Sequence, residues 1–223
     1  MKRVIKGTEP ASFTQWKSLA NDEWTPSYSI LRNPEKQALH ESLLQEQGHV
    51  CCYCGNTITL QSSHIEHFRP QNSFVHLDLD YTNLHASCQG ETELPKPAHC
   101  GHSKGNRFPE QFHISPLQED CESRFRYTLI GQIGSTQNDT SARNMIDILA
   151  LNISFLNNRR KEKLKGIFDD GFLDDFSIEE LEAIIHQYRH PRDGQHEAFD
   201  HVIACYAEQL LAAEIKRKKG ATI

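Results

Sequence analysis

The chain has 223 residues, 37% hydrophobic and 24% charged, a composition that excludes an intrinsically disordered chain and points to one compact folded unit. No stretch reaches the roughly eighteen apolar residues of a membrane span, and Met1-Lys2-Arg3-Val4-Ile5-Lys6 leads into no signal-peptide run, so a cytoplasmic protein without a membrane partner is expected. A formal charge of −6 argues against a free-standing nucleic-acid binder, although thirteen histidines can offset part of it and a partner can supply the missing basic surface.

In chain order, Phe13, Trp16 and Leu19 recur at helical spacing and predict a short first helix over 12–19. A second is expected after Asn33-Pro34, with Asn as cap, Pro at the first helical position, Leu39, Leu43 and Leu44 as the inward stripe and Gly48 as the stop. From Cys51 to about Phe108 the periodicity gives way to Cys, His, Gly, Asn and Pro, as where ligands organise the backbone. The alternation in Phe125-Arg126-Tyr127-Thr128-Leu129, with Gly131 and Gly134, predicts a strand or hairpin arm. Beyond it, Met145, Ile146, Ile148 and Leu149, then Phe155 and Leu156, predict helices. Another opens on the capping-box form Ser177-Ile178-Glu179-Glu180 with Leu181, Ile184, Ile185 and Tyr188 on one face, and a last one covers 199–215. The expected organisation is a helical segment over 1–50, a chemical centre over 51–108, and a hairpin with helices over 109–223.

Seven cysteines in a reducing compartment point to metal where their spacing is short. Cys51 and Cys54 form a Cys-x-x-Cys knuckle; with Cys88 and Cys100 downstream they make a four-thiolate structural zinc site, the alternatives being buried thiols or a redox pair. Cys52 is a substitute ligand by position, and Cys121 and Cys205 are assigned to packing.

Between the cysteine pairs stand His64-Ile65-Glu66-His67-Phe68-Arg69-Pro70 and Tyr81-Thr82-Asn83-Leu84, and the last cysteine opens Cys100-Gly101-His102-Ser103-Lys104-Gly105-Asn106. This arrangement resembles the HNH nucleases, with an acidic residue before the first His, an Asn one hairpin later, and a third His beside the last zinc cysteine. The resemblance implies an α+β fold in which a small zinc-stabilised ββα-metal centre sits in a mostly helical shell. It departs from the family in having Glu66 for the usual Asp, Gly101 between Cys100 and His102, and 89–99 inserted between Cys88 and Cys100. The implied catalytic residues are His67 as general base, Glu66 and His102 as ligands of one Mg²⁺ or Mn²⁺, and Asn83 holding the loop. Arg69, Lys104 and Asn106 are candidate contacts to the substrate's phosphates. For His64, His76, His85 and His99 a surface or hydrogen-bonded role is expected; on a strand, His64 and His67 point to opposite faces.

The Cys-x-Tyr-Cys-Gly opening, the Ile65-Glu66-His67-Phe68-Arg69-Pro70 block and the 100–106 close look like the PtuB branch, HNH effectors of Septu and retron-associated anti-phage systems. That likeness implies a PtuA-like ATPase partner, a DNA or tRNA substrate, and through the ATPase a link to a retron reverse transcriptase and its msDNA. Arg159, Arg160, Lys161 and the run Lys216-Arg217-Lys218-Lys219 are candidate docking or phosphate-steering surfaces. The alternative is a catalytically inactive zinc-organised subunit that binds nucleic acid or protein.

Overall fold

The computed structural model describes residues 1–89, 97–168 and 176–220, and shows helices mixed with two small antiparallel sheets, the α+β composition expected. Helix α1 (Ala11–Ser18) buries Phe13 and stacks it on Trp16. Helix α2 (Glu35–Glu46) buries Leu39, Leu43 and Leu44 as one stripe. Its start differs from expectation: Pro34 itself occupies the N-cap and no side chain caps the first turn. Gly48, in the left-handed region at φ 61°, turns the chain out of α2 and towards the first cysteines.

Strand β1 (Ser63–His67) pairs antiparallel with β2 (Leu84–Cys88), with Ser63 opposite Cys88 and Glu66 opposite His85. The two-residue period of the strands puts His64 and Glu66 on one face with Ser87 and His85, and turns Ser63, Ile65 and His67 to the other. The five-residue helix α3 (Cys100–Lys104) covers the first face: the Gly101 amide donates to Ser87 Oγ at 3.1 Å, and Lys104 Nζ meets Glu66 Oε1 at 2.8 Å. The amide of Cys100 is held by the Leu149 carbonyl at 2.8 Å, which fastens α3 to the later helices.

A second hairpin, β3 (Phe125–Tyr127) with β4 (Ile133–Ser135), leads into helices α4 (Thr140–Ile148), α5 (Ser154–Lys165), α6 (Ile178–Arg189) and α7 (Asp200–Gly220). Gly131 lies in the hairpin turn where a Cβ would come within 1.9 Å of the Asn157 carbonyl, so α5 rests directly on that turn. Arg160 seals the contact. It is 1% exposed and donates to the carbonyls of Gly131 at 2.7 Å and Leu151 at 2.6 Å, so of the basic run on α5 it is a structural strut and not part of a docking surface. The Ser177 side chain accepts from the Glu180 amide and the Glu180 side chain from the Ser177 amide, which is the expected capping box of α6. Buried hydrophobic residues from all three predicted segments form one continuous cluster. Among the described residues no helix is long and apolar enough to cross a membrane.

Candidate metal and catalytic centre

The candidate zinc site is built by a tight turn, a strand end and a helix start. The Gly55 amide closes the turn on the Cys51 carbonyl at 2.9 Å, and Gly55 sits at φ 75° where a Cβ would strike the His201 ring at 2.1 Å. Cys88 ends β2 and Cys100 opens α3 at φ 55°. As a result the sulfurs of Cys51, Cys54, Cys88 and Cys100 are all buried and lie within 4.8 Å of one another. Zinc–thiolate bonds of about 2.3 Å in a tetrahedron place sulfurs about 3.8 Å apart, so the donors fit a structural zinc. A redox pair needs two sulfurs, whereas here four converge. The amides of Asn56 and Cys88 point at Cys54 and Cys51 sulfurs at 3.4 Å, the kind of outer donor that steadies thiolates. Cys52, Cys121 and Cys205 are buried outside the group.

His99, expected to be an ordinary histidine, joins this centre: its Nδ1 lies 3.2 Å from Cys100 Sγ and 3.4 Å from Cys88 Sγ. Its position next to Cys100 was the available signal. Gln89 brings it there, since its side-chain carbonyl accepts from the His99 amide at 3.1 Å and its amide donates to the Pro97 carbonyl at 3.2 Å.

On the covered face of the hairpin, the Glu66 carboxylate is fully engaged. Oε1 takes Lys104 Nζ at 2.8 Å and the Tyr53 hydroxyl at 3.1 Å, and Oε2 lies 3.3 Å from His64 Nε2. Burial alone would raise this carboxyl, but His64 and Lys104 bring it below its ordinary range. Lys104 thereby departs from the expected phosphate contact. It is 2% exposed and also donates to the carbonyls of His67 at 3.0 Å and Gly105 at 3.1 Å, because α3 lies flat on the sheet and turns its last residue inward. His102 is exposed. Its ring centroid is 4.4 Å from that of His64, and its Nε2 lies 2.9 Å from the Gln89 carbonyl, so the imidazole in contact with Glu66 is His64's and not His102's.

His67 occupies the opposite face, buried edge-on against Tyr28 at 4.5 Å. Its Nε2 lies 2.9 Å from the Asp78 carbonyl and 3.0 Å from the side-chain amide nitrogen of Gln71. Burial lowers the His67 pKa and keeps the imidazole neutral at ordinary pH. Asn83 fastens the loop after β1: its Oδ1 accepts from the Arg69 amide at 2.7 Å, and its Nδ2 donates to the carbonyls of Arg69 and Leu77 at 3.1 Å each. Arg69 and Asn106 are exposed.

No family profile matches the chain. A protein of Vibrio cholerae serotype O1 biovar El Tor, named "Retron Vc95 putative HNH endonuclease", is 27% identical over 140 residues, which cover 59% of this chain and 66% of that protein's length. The chain thus spans just under two thirds of that protein's length.

Proposed function

We propose that this chain is an HNH endonuclease that hydrolyses nucleic-acid phosphodiester bonds with one divalent ion. One observation carries the reading: a hairpin capped by a short, thiolate-anchored helix presents the Glu66 carboxylate on one face and a neutral His67 one residue on. The His67 imidazole takes the proton of the attacking water. Asn83 keeps the backbone on either side of Arg69 in place, and Arg69 and Asn106 meet phosphate oxygens from the surface. Glu66 would hold Mg²⁺ or Mn²⁺ through Oε2, and such an ion supplies positive charge to the scissile phosphate and the leaving oxygen.

The setting we propose is that of a PtuB-like effector in the cytoplasm, working with a PtuA-like ATPase and, through it, with a retron reverse transcriptase and its msDNA. The motifs at 51–55, 65–70 and 100–106 support this branch, as does a net charge of −6 in a protein whose substrate would be a polyanion. DNA is the first substrate to try and tRNA the second.

A second reading draws on the buried Lys104–Glu66 pair, in which an ammonium already neutralises the carboxylate. On that reading the pair is a strut and the chain a zinc-organised binding subunit. The two separate in a cutting assay of the zinc-loaded chain on plasmid DNA and on total tRNA, with Mg²⁺, Mn²⁺ or EDTA, with and without a co-expressed ATPase. Cutting that requires the divalent ion and drops by about 100-fold or more in His67→Ala establishes the nuclease. Folded, zinc-loaded protein that cuts nothing in any combination leaves the binding subunit.

A further inference from the structure

We infer that His64, two residues before Glu66 on β1, supplies the imidazole that binds the divalent ion with Glu66, and that glycine at position 101 exists to make room for it. The inference rests on the nuclease reading and specifies its metal site.

The first observation is steric. In the resemblance the third histidine follows directly on the last zinc cysteine, and here that position is Gly101. A Cβ at 101 would lie 2.4 Å from Glu66 Oε2 and 2.7 Å from His64 Nε2, closer than a Cβ can approach either atom. The volume a helix side chain would fill is occupied by the strand's own Glu66 carboxylate and His64 imidazole. Side chain at 101 and His64–Glu66 pair exclude one another, and the sequence carries the pair.

The second observation is the pattern of donors and acceptors. His64 Nδ1 lies 2.8 Å from the carbonyl of Gln89, whose left-handed backbone at φ 67° aims that oxygen at the ring. A carbonyl accepts, so Nδ1 carries a hydrogen, and Nε2 is the ring atom that faces Glu66 Oε2 at 3.3 Å. A ring nitrogen and a carboxylate oxygen that face each other share a proton, and a divalent ion would take that proton's place. Ligand atoms bound to one octahedral ion at 2.0–2.1 Å lie about 3 Å apart, close to this separation. A ring N–H donated to a backbone carbonyl is also the usual support of a metal-bound histidine.

The third observation concerns Glu66, whose Oε1 is taken by Lys104 and Tyr53, which leaves Oε2 as the oxygen directed at His64. One carboxylate oxygen and one imidazole, with the other positions left to water and phosphate, suit an ion such as Mg²⁺ or Mn²⁺ that keeps several waters. His102 shares the Gln89 carbonyl but stays at the surface beside the site.

The test is Mn²⁺ titration of the zinc-loaded chain, followed by calorimetry and by electron paramagnetic resonance with detection of ring-nitrogen coupling. Circular dichroism and zinc content serve as the check on folding. We expect Glu66→Ala to abolish binding, His64→Ala to weaken it at least about tenfold and remove the nitrogen coupling, and His102→Ala to change it by less than about threefold. Gly101→Ala approaches the same atoms from the helix side and is expected to weaken binding with His64 intact. Loss on His102→Ala with full binding in His64→Ala overturns the assignment while leaving the nuclease reading in place. Absence of Mn²⁺ binding in the unaltered chain removes the metal from that reading itself.

Discussion

Asn83 satisfies three backbone groups with one amide, two of them on Arg69, two positions after the proposed base, and the third on Leu77. Truncation to Ala leaves partly buried backbone polar atoms without partners, at roughly 1–3 kcal/mol each where water cannot reach. Asn83→Ala is therefore expected to lower both the melting temperature and the cutting rate, whereas Asn83→Asp, which keeps the acceptor for the Arg69 amide, should fall between it and the parent in a thermal melt. Asn83 was legible in the sequence because its spacing from the Glu-His pair survives into the fold. Three other residues at this scale were not. His64 looked ordinary because spacing cannot show that Gln89 turns its carbonyl onto the ring, and His99 because its approach to sulfur depends on how 89 and 97–99 are drawn together. Lys104 looked like a surface cation because nothing in a linear motif says that a five-residue helix lies flat on a sheet and buries its last side chain.

Among the elements, those with a one-sided apolar face were readable and those without were not. The stripes of α2 and α6 and the alternation of β3 follow from burying one side only, and the capping box of α6 is present as its sequence form implies. The central hairpin gave no such signal. Every residue of β2 is buried, four of the five in β1 are, and both strands carry polar side chains, so hydrogen bonds and ligands replace hydrophobic alternation. The box at α6 lends itself to measurement because its side chains are exposed and touch no site. Ser177→Ala is expected to cost about 1 kcal/mol of unfolding free energy in urea, with cutting unchanged.

For the molecule as a whole, the cysteine cluster joins the turn after α2, the end of β2 and the start of α3, so a zinc bound there would cross-link three pieces. Structural zinc in small domains is worth about 10–16 kcal/mol near neutral pH, comparable to the whole stability of an ordinary domain. Stripping it with a strong chelator is expected to abolish the cooperative thermal transition and all cutting, with recovery on adding Zn²⁺ back under reducing conditions; an unchanged melt after verified zinc loss would refute the structural role. The same connectivity sets an order of events on the ribosome. All four thiolates emerge by Cys100, but the Leu149 carbonyl that fastens the Cys100 amide is made much later. A nascent chain can thus capture zinc and close its centre before its helical layer exists, while the docking of α3, and with it the final seating of Lys104 on Glu66, waits for the rest of the chain to be translated.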